Sequence, residues 1–536
     1  MKKNKRKLIA LIAFLLFFSY SSQTCLAIEE QTDTQTKKAK FSWFKKDPLK
    51  PQKEIKKNKR KSKVEDIKLP EVLEGKPKVS FEKLSALTID DCVNYAIQHN
   101  PNLMVSSERI KAANSKIGQA RANYAPRLTS AVNYNHQETK IPKLHTENDQ
   151  GAFSAGVSQT IWDFGQTTAR IKMEKFNTLA TQYDYDYDIL NVIYGVKINY
   201  YNVLAALAHL DIYEQNVRIQ KLNYTRTNAM FEEGLKSKID VVNAQVNLTD
   251  SEIQLVEGRK NLQTAIINLK NSMYYQEDEP FIVQNTENFG FLKTDYRKKI
   301  ESLTTPKTPD VIAKKNKDGL IMLSSGIEHN DIIQNFEFIP MTLTKKEAVD
   351  KALDLRPDLK SIDMITQVQE EALKTIRRQY LPSVQGNLQF SHGRAENNMY
   401  NTGLTAGASI SFGTINPMAI HFQLKEGRSL LDIAYHNLNI AKTDIFWEVQ
   451  TNYVNMRQLE KKIPLMNEKV KATLENFELA DGRYSVGLNN YVELQDALTN
   501  YNNAQLNFVE AVFNYNVARE TLLKSMGVKW RKDIWY

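Results

Sequence analysis

The chain has 536 residues and a formal charge of +10, with eight histidines and two cysteines. Cys25 lies in a leading segment that reads as a signal, so Cys92 would remain as one thiol, which excludes an internal disulfide framework, and the histidines show no metal-ligand spacing. No glycine-rich phosphate loop and no G-x-S-x-G elbow is present, so an enzyme is not expected, and neither is a metal or cofactor.

Lys2, Lys3, Lys5, Arg6 and Lys7 precede an apolar run from Leu8 to Phe18, and Cys25-Leu26-Ala27 closes the stretch. A basic start, a short apolar run and a small-x-small ending read as a secretory signal over residues 1–27. The run is shorter than the roughly 20 apolar residues of a membrane helix, and no later stretch is long enough. An exported chain without a transmembrane helix is the expectation. Cys25 also admits a lipidated N-terminus, although Thr24 and Ser22 depart from the usual lipoprotein signal. In the polar segment 28–86, residues 37–63 hold 13 Lys or Arg against Asp47 and Glu54. The basicity thus sits in the signal and this segment, and the rest is mildly acidic. Such a run reads as solvated and disordered. No nucleic-acid partner is expected of an exported chain.

From residue 87, "LTIDDCVNYAIQHNPNL" reads as an amphipathic helix with Cys92 in its core and Asp90 and Asp91 on its polar face. Two alternating segments follow. In "LTSAVNYNH", Leu128, Val132 and Tyr134 share a face opposite Thr129, Asn133 and Asn135. In "FSAGVSQTI", Phe153, Ala155, Val157 and Ile161 oppose Ser154, Ser158 and Thr160. After "IWDFGQ", residues 166–232 form a proline-free stretch. Its stripe of Ile189, Val192, Val196, Tyr200, Val203, Leu207, Leu210 and Val217 recurs at helical steps. A helix of that span is about 100 Å long, which no ordinary globular core requires. The corner "FEEGLKSKIDVVNA" at 231–244 turns the chain into a second long helix. Residues 276–342, with "TTPKTPD" at the centre, read as a surface belt or loop.

The same order then recurs. "LTKKEAVDKALDLRPDL" opens it. "VQGNLQF" alternates Val384, Leu388 and Phe390 with Gln385, Asn387 and Gln389. "LTAGASISF" alternates Leu404, Ala406, Ala408, Ile410 and Phe412 with Thr405, Ser409 and Ser411. A second long helix holds Pro464, where a kink or short break is predicted. The corner "YSVGLNNYVELQDA" at 484–497 follows, and residues 529–536 form a tail. At a shift of 253, Gly234-Leu235, Ala244, Asn247 and Val256-Glu257 match Gly487-Leu488, Ala497, Asn500 and Val509-Glu510. Upstream the shift is 256, and Leu87-Thr88, Pro101, Tyr124 and Pro126 match Leu343-Thr344, Pro357, Tyr380 and Pro382. Two tandem repeats, 87–275 and 343–528, are expected.

Segments of about ten residues, apolar on one face and small or polar on the other, are the signature of a membrane β-barrel. A half-buried soluble sheet alternates in the same way. Four strands cannot close a barrel, so membrane strands would be pooled between subunits, as eight from two chains or twelve from three.

The signal, the two helix–hairpin–long-helix-pair repeats and the corner "YSVGLNNYVELQDA" together resemble the TolC-like outer-membrane efflux protein family. "LTIDDCVNYAIQHNPNL" looks like that family's opening helix and "IWDFGQ" like its strand-to-helix corner. The resemblance implies a mainly α fold with a membrane β-barrel portion. Three chains would form a twelve-stranded barrel in the outer membrane, continued by an α-helical cylinder into the periplasm. A periplasmic adaptor and an inner-membrane transporter would open the far end of this duct for export of drugs, metabolites or proteins. It also implies acidic residues just after the turns, lining the constriction. The matching positions are Asp240 in the first repeat and Glu493 and Asp496 in the second, with Gly234, Leu235, Gly487 and Leu488 at the hairpin tips. "SKID" and "NYVE" also fit helix caps, so Asp240 and Glu493 stand as capping residues, lining residues or both. The alternative class is an exported coiled-coil scaffold or adhesin without channel activity.

Overall fold

The computed structural model describes residues 86–141, 144–276, 282–283, 340–394, 400–412 and 416–528. The signal 1–27, the basic run 37–63, the tail 529–536 and most of the insert 276–342 lie outside the described residues.

Each repeat begins with the same punctuation. Helix α1 (Ile89–His99) starts in a capping box: the Asp91 N–H donates to Thr88 Oγ1 at 3.2 Å and the Thr88 N–H to Asp91 Oδ2 at 3.1 Å. Asp91 is therefore a cap as well as a polar-face residue. Burial pushes the Cys92 thiol up to about 12, so it is an inert core group. Helix α2 (Pro101–Arg121) carries proline at its first position, where no N–H is needed. Strands β1 (Arg127–Ile141) and β2 (Leu144–Trp162) form a hairpin. Helix α3 (Gln166–Glu232) has 67 residues and α4 (Lys238–Met273) has 36.

The second repeat follows suit. Helix α5 (Lys345–Leu355) has a Thr344–Glu347 capping box, and α6 (Pro357–Arg378) again starts on proline. Strands β3 (Ser383–Arg394) and β4 (Tyr400–Ser411) lead to α7 (Pro417–Ser485) and α8 (Tyr491–Ser525). A two-residue parallel ladder also pairs Ala86–Leu87 with Ile282–Val283. Helix α7 runs unbroken through Pro464. That residue is exposed, while Ile463 beside it is fully buried, so the packed side of the helix holds across the one missing hydrogen bond.

The strands form one antiparallel sheet in the order β1-β2-β3-β4. Its register aligns Leu128 with Val157, Leu388 and Ala406, and Ser130 with Ala155, Phe390 and Leu404. The other face aligns Thr129 with Gly156, Gln389 and Thr405, and Ala131 with Ser154, Ser391 and Gly403. Both faces of β1 and β4 are open in the single protomer, so no element covers the apolar one: Leu128, Val132 and Leu404 are 80%, 79% and 71% exposed. A soluble sheet covers that face, whereas a membrane strand turns it to lipid and its small polar face to a lumen. A bulge between Thr160 and Trp162 leaves both Ile161 and Trp162 among the exposed apolar groups.

Near the sheet the helices lie in the order α2, α3, α6, α7, and farther away in the order α4, α3, α8, α7. The α7/α8 contact is a coiled-coil seam. Val449, Met456, Ile463, Val470, Phe477 and Tyr484 recur every seven residues, each at most 1% exposed, and pack with Leu494, Leu498, Tyr501, Phe508 and Tyr515. Each such side chain contributes about 2 kcal/mol through burial. The stripe expected on α3 is likewise packed, with Val196, Tyr200, Val203, Leu207 and Leu210 buried against α1 and α4 residues. Among the described residues no helix is long and apolar enough to cross a membrane, and no cluster of metal-ligating side chains is found.

Candidate functional site: the paired hairpin tips

Both long-helix pairs turn at the end remote from the sheet, and both turns are built on a left-handed glycine. Gly234 has φ 74° and Gly487 has φ 79°. In the first tip the Leu235 N–H donates to the Met230 carbonyl at 2.8 Å, and in the second the Leu488 N–H donates to the Arg483 carbonyl at 2.9 Å. These six-residue closures satisfy carbonyls that a helix end leaves open, and glycine enters the conformation without a Cβ penalty. Leu235 and Leu488, which follow, are 74% and 81% exposed.

The structure brings the two tips side by side. Lys236 Nζ donates to the Asn489 carbonyl at 3.4 Å and lies 4.7 Å from the centre of the Tyr484 ring. Asn247 Nδ2 donates to Tyr491 Oη at 3.0 Å. Slightly above the tips, Thr227 Oγ1 and Tyr484 Oη share a buried 2.9 Å bond, and Arg226 pairs with Asp481 at 2.6 Å. Burial, with the Asp240 charge nearby, holds the Tyr484 phenol above its ordinary range, so it stays protonated and available to Thr227.

The three acidic positions differ in their surroundings. Asp240 is half-buried and engaged: its Oδ2 accepts from Ser237 Oγ at 2.8 Å and from the Ser237 N–H at 3.2 Å. At the second tip the cap is Asn490, whose side chain accepts from the Glu493 N–H at 2.8 Å. The Glu493 carboxylate takes no part in that cap. Glu493 and Asp496, three apart, share an exposed face at the start of α8.

Sequence reading missed the side chains that join the repeats. Farther up, Asn502 Nδ2 donates to Asn216 Oδ1 at 2.7 Å, Gln220 to Gln495 at 3.1 Å, and Lys197 to Glu520 at 2.9 Å. Gln215 and Asn223 lie buried in the same stretch of α3 with polar atoms that meet no partner among the described residues. The α3/α8 seam is therefore more polar than the seam within the second hairpin, where Tyr515 Oη donates to the buried Glu460 carboxylate at 3.3 Å. The available signal was a polar residue at a core position of each long helix.

A sheet with an open apolar face, continued by helices of about 100 Å, fits a membrane β-barrel extended by a helical cylinder. The outer membrane efflux protein family matches residues 92–273 and 348–528, and the chain belongs to that family. It is 21% identical over 470 residues to the outer membrane protein TolC of Escherichia coli K12, covering 87% of this chain and 88% of that one. To the TolC of Salmonella enteritidis it is 21% identical over 473 residues, covering 87% of each. Its fold is similar to that of the outer-membrane channel OprN, with a TM-score of 0.64 at 14% identity over 86% of this chain and 96% of that one. The Campylobacter jejuni CmeC channel gives 0.62 at 15% identity, over 84% and 90%. The protein is thus an outer-membrane efflux channel that reaches into the periplasm.

Proposed function

We propose that three copies of this chain form the exit duct of a tripartite efflux or type I secretion system, carrying small molecules or proteins out of a Gram-negative cell. The open sheet carries this reading. It ends on β1 and β4, and unpaired strand edges are not tolerated in lipid. Three protomers supply twelve strands, enough to enclose a lumen. The helices support the same assembly. On one edge α4 exposes Ile239, Val242, Val246, Ile253 and Val256; on the other α7 exposes Ile433, Ile440, Trp447 and Val454 at seven-residue steps. Such stripes suit coiled-coil contact with a neighbouring protomer.

In this reading the hairpin tips converge on the axis. Glu493 and Asp496 line the constriction, and Asp240 lines it while capping its helix. A ring of carboxylates favours cations and repels anions. The exposed Leu235 and Leu488 offer an apolar end surface to a periplasmic adaptor protein, which couples the duct to an inner-membrane transporter.

Planar-bilayer recording tests the reading. The purified chain is expected to run as a heat-modifiable trimer with a small cation-selective conductance. Glu493→Ala with Asp496→Ala is expected to raise the conductance severalfold and lower the cation preference. Unchanged values for both quantities reject the constriction. A detergent-free monomer that conducts nothing rejects the duct and leaves the scaffold.

A further inference from the structure

Charge along the helices changes sign with distance from the sheet. The four helix ends that adjoin it, taken with their caps as residues 114–124, 163–178, 369–380 and 417–429, hold ten Lys or Arg against five Asp or Glu. The next stretches of the same helices, 101–113, 179–192, 357–368 and 430–443, hold four against seven. The basic excess is thus a layer directly beneath the strands. Most acidic groups within it are engaged: Asp163 is a buried cap, Glu371 pairs with Lys374 at 2.7 Å, and Glu370 accepts from Tyr435 Oη. By contrast Lys116, Arg121, Lys172, Lys175, Arg377 and Lys425 meet no hydrogen-bonding or charged partner among the described residues, and only Lys175 is half-buried.

The depth of the layer matches a lipid boundary. Trp162, Phe164, Phe412 and Phe422 are exposed where the strands meet the helices, and Trp162 and Phe164 meet edge to face at 6.1 Å between centroids. Exposed aromatic rings of this kind mark the edge of the hydrocarbon. Lys175 is nine residues into α3, Lys425 eight into α7, and Lys116 five from the end of α2. At 1.5 Å per residue all lie within about 14 Å of the sheet. A headgroup layer of about 5–8 Å and one Debye length of about 8 Å together span that depth. The cations are also sorted by face. Ala169 and Thr178 are buried on the two flanks of α3, so Lys172 and Lys175 share one open face while Arg170 and Glu174 share the other. Ile193, five turns below Lys175, is buried in the cluster that holds Cys92 and Val93 of α1. In the proposed duct α1 lies outside, since a helix on the inner face would fill the passage. Lys172 and Lys175 therefore face outward.

We infer that this layer is a docking surface for anionic phospholipid of the periplasmic leaflet, with Lys172 and Lys175 against its phosphodiester headgroups. The outward assignment rests on the proposed duct. Lysine suits the role, because its stem lies along apolar surface while a compact ammonium reaches the headgroup. Each Lys or Arg held near an anionic lipid surface adds to the attraction, and the attraction fades within a Debye length. The acidic stretch below the layer is repelled by the same surface. The charge pattern thus fixes how deep the helix roots sit.

Native mass spectrometry of the full chain in mild detergent tests this, with phosphatidylglycerol and phosphatidylethanolamine of equal chain length as probes. The wild-type chain is expected to prefer phosphatidylglycerol by about fivefold for each cation engaged. Lys172→Gln with Lys175→Gln is expected to lower that preference at least about fivefold while keeping heat-modifiable migration. Arg170→Gln, on the inward face, and Lys469→Gln with Lys471→Gln, far down α7, are expected to keep it. Equal binding of the two lipids by a trimeric wild-type chain would overturn the docking surface and leave the duct standing. A wild-type chain that is monomeric without detergent would overturn the duct, and the outward face with it. An unchanged preference in the folded Lys172→Gln, Lys175→Gln chain would overturn the role of those residues. An equal loss in either control would mark a response to net charge alone and overturn the layer.

Discussion

At the first hairpin tip an acidic side chain is tied into a cap, and at the second the equivalent side chain is left out of one. Asp240 bonds Ser237 twice, whereas Asn490 caps α8 and Glu493 stays exposed beside Asp496. Repetition of a corner thus preserves the turn while its charge takes on different work. The glycine and the leucine after it answer to backbone geometry, which both copies share. The carboxylate answers to whichever residue occupies the cap.

The hairpins differ in their seams as well, and alkaline pH is expected to separate them most strongly. In the second hairpin Tyr501 and Tyr515 are pushed up to about 12, and Tyr484 and Tyr491 are raised too, in each case chiefly by burial. An unfolded phenol ionises near pH 10, so stability from these groups is complete below that pH. It is lost as the pH rises from about 10 toward 12, because the unfolded chain then binds fewer protons. Tyr501 and Tyr515 each account for about 1.4 kcal/mol per pH unit in that window. Hydrogen exchange between pH 9 and 12 is expected to show α8 opening before α4; simultaneous opening would remove the distinction.

Next in size is the Arg226–Asp481 pair, which ties α3 to α7. Asp481→Ala leaves a buried guanidinium unpaired and is expected to cost about 3 kcal/mol in denaturant unfolding. Arg226→Met combined with Asp481→Leu is expected to cost less. Smaller again is Asp240→Asn, expected to lower stability by about 1 kcal/mol through the cap, with less effect on ion selectivity than Glu493→Ala. Equal selectivity changes at the two sites would erase the contrast between the tips. The smallest effect is expected for Ser237→Gly, since glycine replaces a capping side chain at a cost of a few tenths of a kcal/mol. Urea unfolding with wild-type slope measures it.

Much of this architecture was legible because it rests on local or periodic signals. The alternation of Leu128, Val132 and Tyr134, the stripe from Ile189 to Val217, and the paired glycine corners each reflect a geometry that repeats along the chain. Alternation alone could not say whether the apolar face is covered; the aligned strands leave Leu128 and Leu404 open. The Pro464 expectation of a break was too strong, because proline propensity ignores the buried heptads on either side of it. The contacts between repeats join residues more than 200 positions apart, such as Thr227 with Tyr484 at 257. No period announces them. Gly527 was likewise hidden: it has φ 68°, and a Cβ there would lie 2.7 Å from Arg356 Cα, so its need comes from a distant neighbour.

The corner after β2 has a mechanical consequence. Asp163 accepts from Tyr124 Oη and from the N–H groups of Gly165 and Thr167, and Arg378 donates to the Gly165 carbonyl at 2.8 Å. From there α3 extends as an unbroken lever of about 100 Å, on which one degree of tilt at the root moves the far end by about 1.7 Å. A passage narrow enough to discriminate ions tolerates little such wander. In the proposed duct, the stiffness of this corner would set the accuracy of the aperture at the hairpin tips.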